Sequence, residues 1–334
     1  MKARTSIILF AAALMLAACQ TPVEQSYSAD PVENVEALWE IIDTKYCYIG
    51  DKGIDWDAIR TEYIAKAAQL KRGDQFALFD LCAAMLDSLR DGHVNLYSPF
   101  DRSASTWWYE PYPSNFSTSL QRQYLQGGRM AGSLQYNLID DGRVGYVYYS
   151  SFSNDISVAN LAWVFRTFAD CRGMIIDVRQ NGGGSISNSF MLSSPFFSED
   201  ITIAYMRHKT GPGHNDFSDP TALKTDASLF SGKWNKPVVV LSNRMTYSAA
   251  NLFVNIMRYA PNATIVGGKS GGGGGLPMSY ELPIGWLVRF SSVRMYDREM
   301  KDIEQGIEPD VAVTLTGPDK DDIIEAAIDI INGQ

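Results

Sequence analysis

The 334-residue sequence has few residues of the types that hold metals or disulfides, with four cysteines and three histidines. The cysteines show no CxxC spacing and form no cluster with histidine, so a zinc site is not expected. No basic stripe with interleaved aromatic residues is present, and the net charge of -9 argues against nucleic acid as a partner. We therefore predict no metal, no organic cofactor and no nucleic-acid partner.

Long apolar runs are also scarce. The strongest, Ile7 to Ala18, is too short to span a bilayer. It follows Lys2 and Arg4 and ends in Leu16-Ala17-Ala18-Cys19, which matches the lipobox of bacterial lipoproteins. We predict a signal peptide at 1–18, acylation of Cys19 and a lipid-anchored protein of the bacterial cell envelope, on the periplasmic or outer-membrane face. A transmembrane anchor is the less favoured alternative.

Three cysteines remain after Cys19. Cys47 and Cys82 lie on predicted helices and could form a disulfide in an oxidising compartment, whereas Cys171 precedes a buried strand and is expected to be a core thiol.

The chain alternates predicted strands and helices, and 46% of its residues are hydrophobic. This pattern predicts an α/β fold with a mostly parallel layered sheet. We divide the chain into a tether at 19–30, a small helical domain at 31–98, a strand-poor connection at 99–143 and a core at 144–334. The connection is too short for a typical additional recognition domain.

Ser248 follows a predicted buried strand and a polar turn, and begins an amphipathic helix in PVVVLSNRMTYSAANLFVNIM. Such a corner exposes a hydroxyl to a cleft, and the first amides of the helix favour developing negative charge. Ser248 is therefore a candidate nucleophile. The alternative is that it caps the helix, a common role of serine.

A second candidate element is IIDVRQNGGG, in which a buried strand leads into Gly182, Gly183 and Gly184. Open α/β sheets bind ligands at the carboxyl ends of their strands. Because glycine lets backbone amides approach a ligand, this turn could stabilise an oxyanion. A tight turn with no functional role is the alternative.

The glycines from Gly267 to Gly275 flank Lys269 and Ser270 but do not form a phosphate-binding loop. Ala263 stands where that pattern needs glycine, and more glycine follows Ser270 where a helix is required. We interpret the run as a cleft wall along which an extended peptide lies.

Five motifs occur together: DGHV at Asp91 to Val94, GYVYYSSF at Gly145 to Phe152, IIDVRQNGGG, NRMTYSAAN around Ser248 and IEQGIEPD at Ile303 to Asp310. In this order they resemble the C-terminal processing peptidase family, which includes tricorn-core peptidases and retinoid-binding repeats. The resemblance implies a Clp-protease/crotonase-like core and a serine peptidase that hydrolyses peptides or proteins through an acyl-enzyme. It implies Ser248 as nucleophile and the amides of Gly183 and Ala249 as the oxyanion hole.

The resemblance leaves two candidate bases. The tail-specific branch of the family uses a lysine that would fall at Gly271 to Gly275, so Lys269 is only the nearest alternative. The tricorn-like branch uses a histidine that maps to His93. Since histidine accepts a proton near neutral pH without a large pKa shift, we assign the base to His93.

The tricorn-like branch also has a serine beside the histidine, where this chain has Gly92, and a glutamate near the closing motif. Glu304 is the best match and Glu308 the rival, with an expected role in orienting or stabilising His93 directly or through water. Two other functions stay open: a catalytically inactive binding protein for peptides or apolar ligands, and acyl-CoA chemistry on a crotonase-like core.

Overall fold

The computed structural model describes residues 27–333; the predicted signal peptide and Cys19 lie outside this range. The helices are α1 (Pro31–Lys45), α2 (Trp56–Ala67), α3 (Gln75–Asp87), α4 (Thr118–Leu125), α5 (Val158–Thr167), α6 (Ile186–Ser193), α7 (Ala249–Met257) and α8 (Asp322–Asn332). The strands are β1 (Asn95–Tyr97), β2 (Arg129–Ala131), β3 (Leu134–Ile139), β4 (Val144–Tyr148), β5 (Gly173–Asp177), β6 (Thr202–His208), β7 (Thr221–Lys224), β8 (Val238–Ser242), β9 (Ala263–Gly267), β10 (Leu276–Glu281), β11 (Leu287–Asp297) and β12 (Val311–Ala312).

The main sheet has seven strands in the order β12-β9-β8-β5-β4-β3-β2. Neighbours from β12 to β4 are parallel, while β3 and β2 add an antiparallel edge. Strands β5 and β8 are buried at every residue, as expected for parallel strands covered by helices on both faces. Helices α5, α6 and α7 contribute to the apolar core on one face and α8 to that on the other. The predicted layered α/β fold is confirmed.

A second sheet of five antiparallel strands carries the helices α1, α2 and α3. Its path is β1-β11-β6-β7, with β10 also paired to β11. Side chains from the three helices share one core with β11 residues such as Val288 and Phe290. The predicted helical domain therefore packs against strands that come from the C-terminal half of the chain.

The strand-poor interpretation of residues 99–143 is wrong. This region contains α4, β2 and β3, and β3 pairs with β4 to extend the main sheet. The cause is a short alternating pattern, with Leu134 and Tyr136 buried and Gln135 and Asn137 only partly so. A half-buried strand of this length gives a weak sequence signal.

Cys47, Cys82 and Cys171 are buried free thiols, so the possible Cys47 to Cys82 disulfide is not formed. Each packs as a small apolar side chain, and burial raises the pKa of Cys82 to about 12. Within residues 27–333, no helix combines the length and apolar character needed to cross a membrane.

Arg179 holds the turn that follows β5. Its guanidinium donates to Asp177 Oδ2 at 2.7 Å and to Asp321 Oδ1 at 3.0 Å, and all three side chains are fully buried. We expect Arg179→Met to lower the free energy of unfolding by about 3–5 kcal/mol, because it leaves two buried carboxylates without their cation. Urea denaturation measures this loss. A change within 1 kcal/mol, roughly that of an ordinary surface substitution, would contradict it.

Candidate active site

Ser248 lies in a strained turn between β8 and α7. Its backbone has φ 56° and ψ -120°, which is unusual for a residue other than glycine, and its side chain makes no capping hydrogen bond to α7. The Ser248 amide donates to the carbonyl of Gly272 at 2.8 Å, which fixes the corner. The helix-cap alternative is therefore not what the structure shows, and the hydroxyl is free to face the cleft.

The hydroxyl of Ser248 meets the imidazole of His93. Nε2 of His93 lies 2.9 Å from Ser248 Oγ, although the two residues are 155 positions apart in the chain. This is hydrogen-bonding distance for a base that removes the proton of a serine nucleophile. The histidine is buried, with 4% of its surface exposed.

The second nitrogen of the imidazole contacts Ser291 on β11. Nδ1 of His93 lies 3.3 Å from Ser291 Oγ. With the proton on Nδ1, the ring can donate to Ser291 and leave Nε2 to accept from Ser248. Ser291 thus occupies the position that an acidic residue takes in a Ser-His-Asp triad.

We expect Ser291→Ala to reduce kcat on a cleaved peptide about tenfold while changing KM little, because one neutral hydrogen bond that orients the imidazole is lost. Steady-state kinetics measure both parameters. Ser292→Ala, on the opposite face of β11, is the matched control and should stay near wild type. Equal kinetics for the two variants would remove Ser291 from this role.

Asp91 fixes the turn that carries His93. Its Oδ1 accepts the His93 backbone amide at 2.8 Å, and its Oδ2 accepts the Tyr46 hydroxyl at 2.6 Å. Burial alone would raise the pKa of Asp91, but Lys52, His93 and these hydrogen bonds bring it below its usual value. Asp91 is therefore a buried anion that reaches the histidine through the backbone.

Burial lowers the pKa of His93 to about 4, because the charged imidazolium is poorly solvated. The negative charge of Asp91 opposes this shift, and the positive charge of Arg289 adds to it. The imidazole is consequently neutral at pH 7, which is the form that accepts a proton.

The glycine turn lies directly against the nucleophile. A Cβ on Gly183, at φ +97°, would lie 2.7 Å from Ser248 Cβ and 2.9 Å from the Ala249 nitrogen, so only glycine fits. The Gly183 amide donates to Asn181 Oδ1 at 3.0 Å. Of the two predicted oxyanion donors, Gly183 is therefore engaged within the protein, and its amide must be shared or released to reach an oxyanion.

Glu304 does not contact His93. Its carboxyl faces a neighbouring cavity of about 410 Å³, which Lys52, Asp91 and Tyr247 also line. Burial, and then the charge of Asp91, raise the pKa of Glu304 well above its usual value, and Oε2 is buried without a hydrogen bond among residues 27–333. We expected Glu304 to orient His93 directly, but the side chain that contacts the imidazole at Nδ1 is Ser291.

The reason lies at Gly92, where the tricorn-like branch has serine. A Cβ on Gly92 would lie 2.5 Å from Trp108 Nε1, so the indole fills the space of that side chain. Trp108 stacks on Tyr247 with ring centroids 4.1 Å apart. The Trp108 and Tyr247 pair therefore occupies the space that a side chain at residue 92 would need.

Lys269 and Glu308 form a surface ion pair at 2.9 Å, with side chains 41% and 71% exposed. Lys269 is therefore at the surface and paired, without the desolvated surroundings that a lysine base requires. The geometry favours His93 over Lys269 as the base and gives Glu308 no part in the site.

We expect Lys269→Ala to leave kcat/KM within about threefold of wild type, because the removed ion pair is exposed and contributes little. Peptide hydrolysis measured from pH 5 to 9 is the test. A loss of two orders of magnitude or more would return the base to Lys269.

The run Gly272 to Gly275 is buried and is not a cleft wall. A Cβ on Gly272 would lie 1.8 Å from the carbonyl of Glu304, and one on Gly275 would lie 2.4 Å from Ser291 Cβ. Because these residues have no side chains, residues 272–275 can pack between β11 and the closing motif at Ile303 to Asp310. The cleft-wall interpretation failed because close packing and substrate approach both favour glycine.

A cleft of about 530 Å³ opens over Ser248 and His93. Its other lining residues are Gly92, Asn95, Tyr97, Arg102, Trp108, Ser151, Ser153, Gly182, Gly183, Gly184, Tyr247 and Arg289. In the part of the chain that the structure describes, no three His, Cys, Asp or Glu side chains are grouped to hold a metal ion. The cleft brings together a hydroxyl, an imidazole, backbone amides and the guanidinium groups of Arg102 and Arg289.

Sequence reasoning missed Ser291, Asp91 as an anchor of the turn, and Arg289. Asp91 belongs to the DGHV motif, and that motif is the sequence signal that could have identified its carboxylate. Ser291 and Arg289 sit two residues apart on a strand with no motif, and only the pairing of β1 with β11 brings them to the histidine.

Comparison with known proteins agrees with these observations. Residues 143–313 match peptidase family S41, and residues 27–87 match the Tricorn protease C1 domain. The crystal structure of a candidate peptidase from Parabacteroides merdae is similar, with 44% identity, a TM-score of 0.84 and coverage of 90% of this chain and 96% of that one.

Two curated relatives are more distant. The carboxyl-terminal-processing protease of Synechocystis is 27% identical over 287 residues, which cover 80% of this chain and 62% of that protein. A probable CtpA-like serine protease of Staphylococcus aureus is 22% identical over 174 residues, 52% of this chain and 34% of that protein. The chain thus spans from a third to less than two thirds of these relatives.

The resemblance found in the sequence is confirmed, together with the Clp-protease-like core that it implied. The family match covers just over half of the chain and includes the glycine turn, Ser248 and the closing motif. This chain belongs to peptidase family S41.

Proposed function

We propose that the protein is a serine peptidase that hydrolyses peptide bonds through an acyl-enzyme, with Ser248 as nucleophile and His93 as general base. The observation that carries the proposal is the 2.9 Å contact between Ser248 Oγ and His93 Nε2, formed by a serine in a strained turn that does not cap its helix. Membership of peptidase family S41 supports it.

The reaction needs one proton to move twice. His93 Nε2 takes the proton of Ser248 while Ser248 Oγ bonds to the carbonyl carbon of the cleaved peptide bond. The carbonyl oxygen of that bond becomes the oxyanion. His93 then gives the proton to the leaving nitrogen as the C–N bond breaks, which leaves an ester on Ser248. A water molecule, activated by the same imidazole, hydrolyses that ester and restores the serine.

The Ala249 amide and the Gly183 amide are the proposed oxyanion donors. Ala249 begins α7, so its N–H is among the first amides of the helix, whose acceptors lie outside the helix. The Gly183 amide becomes available when it is shared with, or released from, Asn181. One donor of this kind contributes about 3–4 kcal/mol to lowering the barrier.

We also propose that the protein is a lipoprotein of the bacterial cell envelope, acylated at Cys19 and tethered by residues 19–30. The basis is the Lys2 and Arg4 start, the short apolar run and the Leu-Ala-Ala-Cys sequence. Its substrates are then peptides or proteins of the envelope, with no nucleic acid partner. Labelling of growing cells with an alkyne fatty acid tests this: Cys19→Ala should abolish the label and release the protein from membranes.

Digestion of a proteome-derived peptide library, followed by mass spectrometry, tests the enzymatic proposal. We expect new peptide ends with wild-type protein and none with Ser248→Ala. If the wild type cuts no peptide, the rival function applies, which is a binding protein that keeps the peptidase fold. That rival is favoured by the missing serine at Gly92 and the engaged amide of Gly183.

A further inference from the structure

The antiparallel sheet places a row of side chains beside the proposed base. Asn95 on β1 pairs with Arg289 on β11, so continuing the same register by two residues brings His93 opposite Ser291, as their contact shows. Residues two apart on a strand share a face. His93 and Ser291 therefore form one pair of the row, and Asn95 and Arg289 form the next, about 7 Å along the strand.

Arg289 in this row, and Arg102 which lines the same cleft, lack the carboxylate partners that Arg179 and Arg294 have. Arg179 and Arg294 each contact two carboxylates. The guanidinium groups of Arg289 and Arg102 have neither an ion pair nor a hydrogen bond with any of residues 27–333. Arg289 is half-buried, while Arg102 lies at the rim with its guanidinium 5.6 Å from the Tyr97 ring centroid.

The cleft around them carries no compensating charge. None of the residues that line it is Asp or Glu, although the whole chain has a net charge of -9. A half-buried cation without an anion is unfavourable, and a guanidinium offers parallel N–H donors that match a carboxylate. The strongly acidic protein thus has a local basic wall at the place where substrate must lie.

We propose that Arg289, assisted by Arg102, binds a carboxylate of the substrate next to the bond that is cut. This rests on the proposed peptidase function and specifies its substrate class as peptides with an acidic group close to the cleaved bond. The carboxylate is either an Asp or Glu side chain or the free carboxyl terminus of the peptide. Both sources present the same planar anion to the guanidinium.

Matched peptides distinguish the two sources. A peptide cut in the library digest is synthesised with Glu or with Gln at each position that flanks the cleaved bond, and with a free or an amidated carboxyl terminus. We expect wild type to prefer the carboxylate form at one of these places by roughly tenfold in kcat/KM, the value of one charge-assisted hydrogen bond at a partly exposed site. The position at which the carboxylate form is preferred shows whether the bound group is an acidic side chain or the free carboxyl terminus.

Variants test the arginines. Arg289→Gln should reduce the preference to about one, Arg289→Lys should keep part of it, and Arg102→Gln should weaken it. Arg122→Gln, an exposed arginine on α4, is the charge-matched control and should keep the full preference. Labelling of Ser248 by an uncharged fluorophosphonate shows that each variant retains its site. Arg289→Glu should invert the preference toward peptides with Lys at the same position.

Two outcomes overturn this inference alone: cleavage by the wild type with no preference for a carboxylate, or a preference that survives unchanged in Arg289→Gln. Failure to cut any peptide, together with failure to label, overturns the proposed function and the inference with it.

Discussion

Replacing Ser248 with alanine is expected to reduce peptide hydrolysis by about 10⁵-fold or more, because the acyl-enzyme can no longer form. The residual rate would come from the oxyanion donors and from binding alone. The measurement is kcat/KM on a peptide that the wild type cuts, with a single-turnover assay to detect slow cleavage. Binding of the same peptide should persist, since only the Oγ atom is removed.

The matched control is Ser119→Ala, which removes an exposed hydroxyl on α4 and should leave kcat/KM unchanged. Circular dichroism should show the same secondary structure for both variants. A Ser248→Ala protein that keeps more than a tenth of wild-type activity would contradict the nucleophile assignment and direct attention to another group in the cleft.

Replacing His93 with glutamine is expected to lower kcat/KM roughly 10⁴-fold or more, because the base that removes the Ser248 proton is lost. The pH dependence is a second and more specific readout. Burial lowers the pKa of His93 to about 4, so the neutral, proton-accepting form persists well below the ordinary histidine pKa of about 6.5. The acidic limb of the wild-type kcat/KM profile should therefore have its midpoint near pH 4.

The direction of this pH dependence follows from the protonation state of His93. As the pH falls through the lowered pKa, the imidazole becomes charged and can no longer accept the proton, so activity falls. His208→Gln, an exposed histidine at the end of β6, is the control and should leave both rate and profile unchanged. A midpoint near 6.5 would indicate a solvated histidine, and an acidic limb that survives in His93→Gln would assign it to another group.

The parts of the site that sequence could predict are those set by neighbouring residues. Ser248 was predictable because the buried strand β8, the turn and the helix that expose it are contiguous in the chain. The helix was predicted to be amphipathic, but all nine residues of α7 are buried. The glycine turn after β5 was predictable for the same reason. The parallel core follows from fully apolar strands that alternate with helices.

The parts that sequence could not predict depend on pairing between distant strands. His93 and Ser291 are 198 residues apart, and only the register of β1 against β11 sets them opposite each other. The expected direct contact between Glu304 and His93 is absent because a motif fixes the backbone position of a residue and leaves its contacts open. In this chain Trp108 fills the space next to Gly92, and Glu304 lines a separate cavity together with Asp91.

The prediction for Gly183 as an oxyanion donor also depends on a side-chain contact that the sequence does not reveal. Position and φ fit an oxyanion donor, yet the amide donates to Asn181, two residues earlier. Such local bonds between a side chain and the backbone have no sequence periodicity. An oxyanion that binds the Gly183 amide must therefore displace or share this hydrogen bond.

Intact-mass and peptide mass spectrometry after incubation with an uncharged fluorophosphonate tests most directly whether Ser248 is a nucleophile activated by His93. The predicted result is one adduct on Ser248 in the wild type, a much slower reaction in His93→Gln and no adduct in Ser248→Ala. A wild-type protein that stays unlabelled, or a Ser248→Ala variant that labels equally well, would contradict the claim.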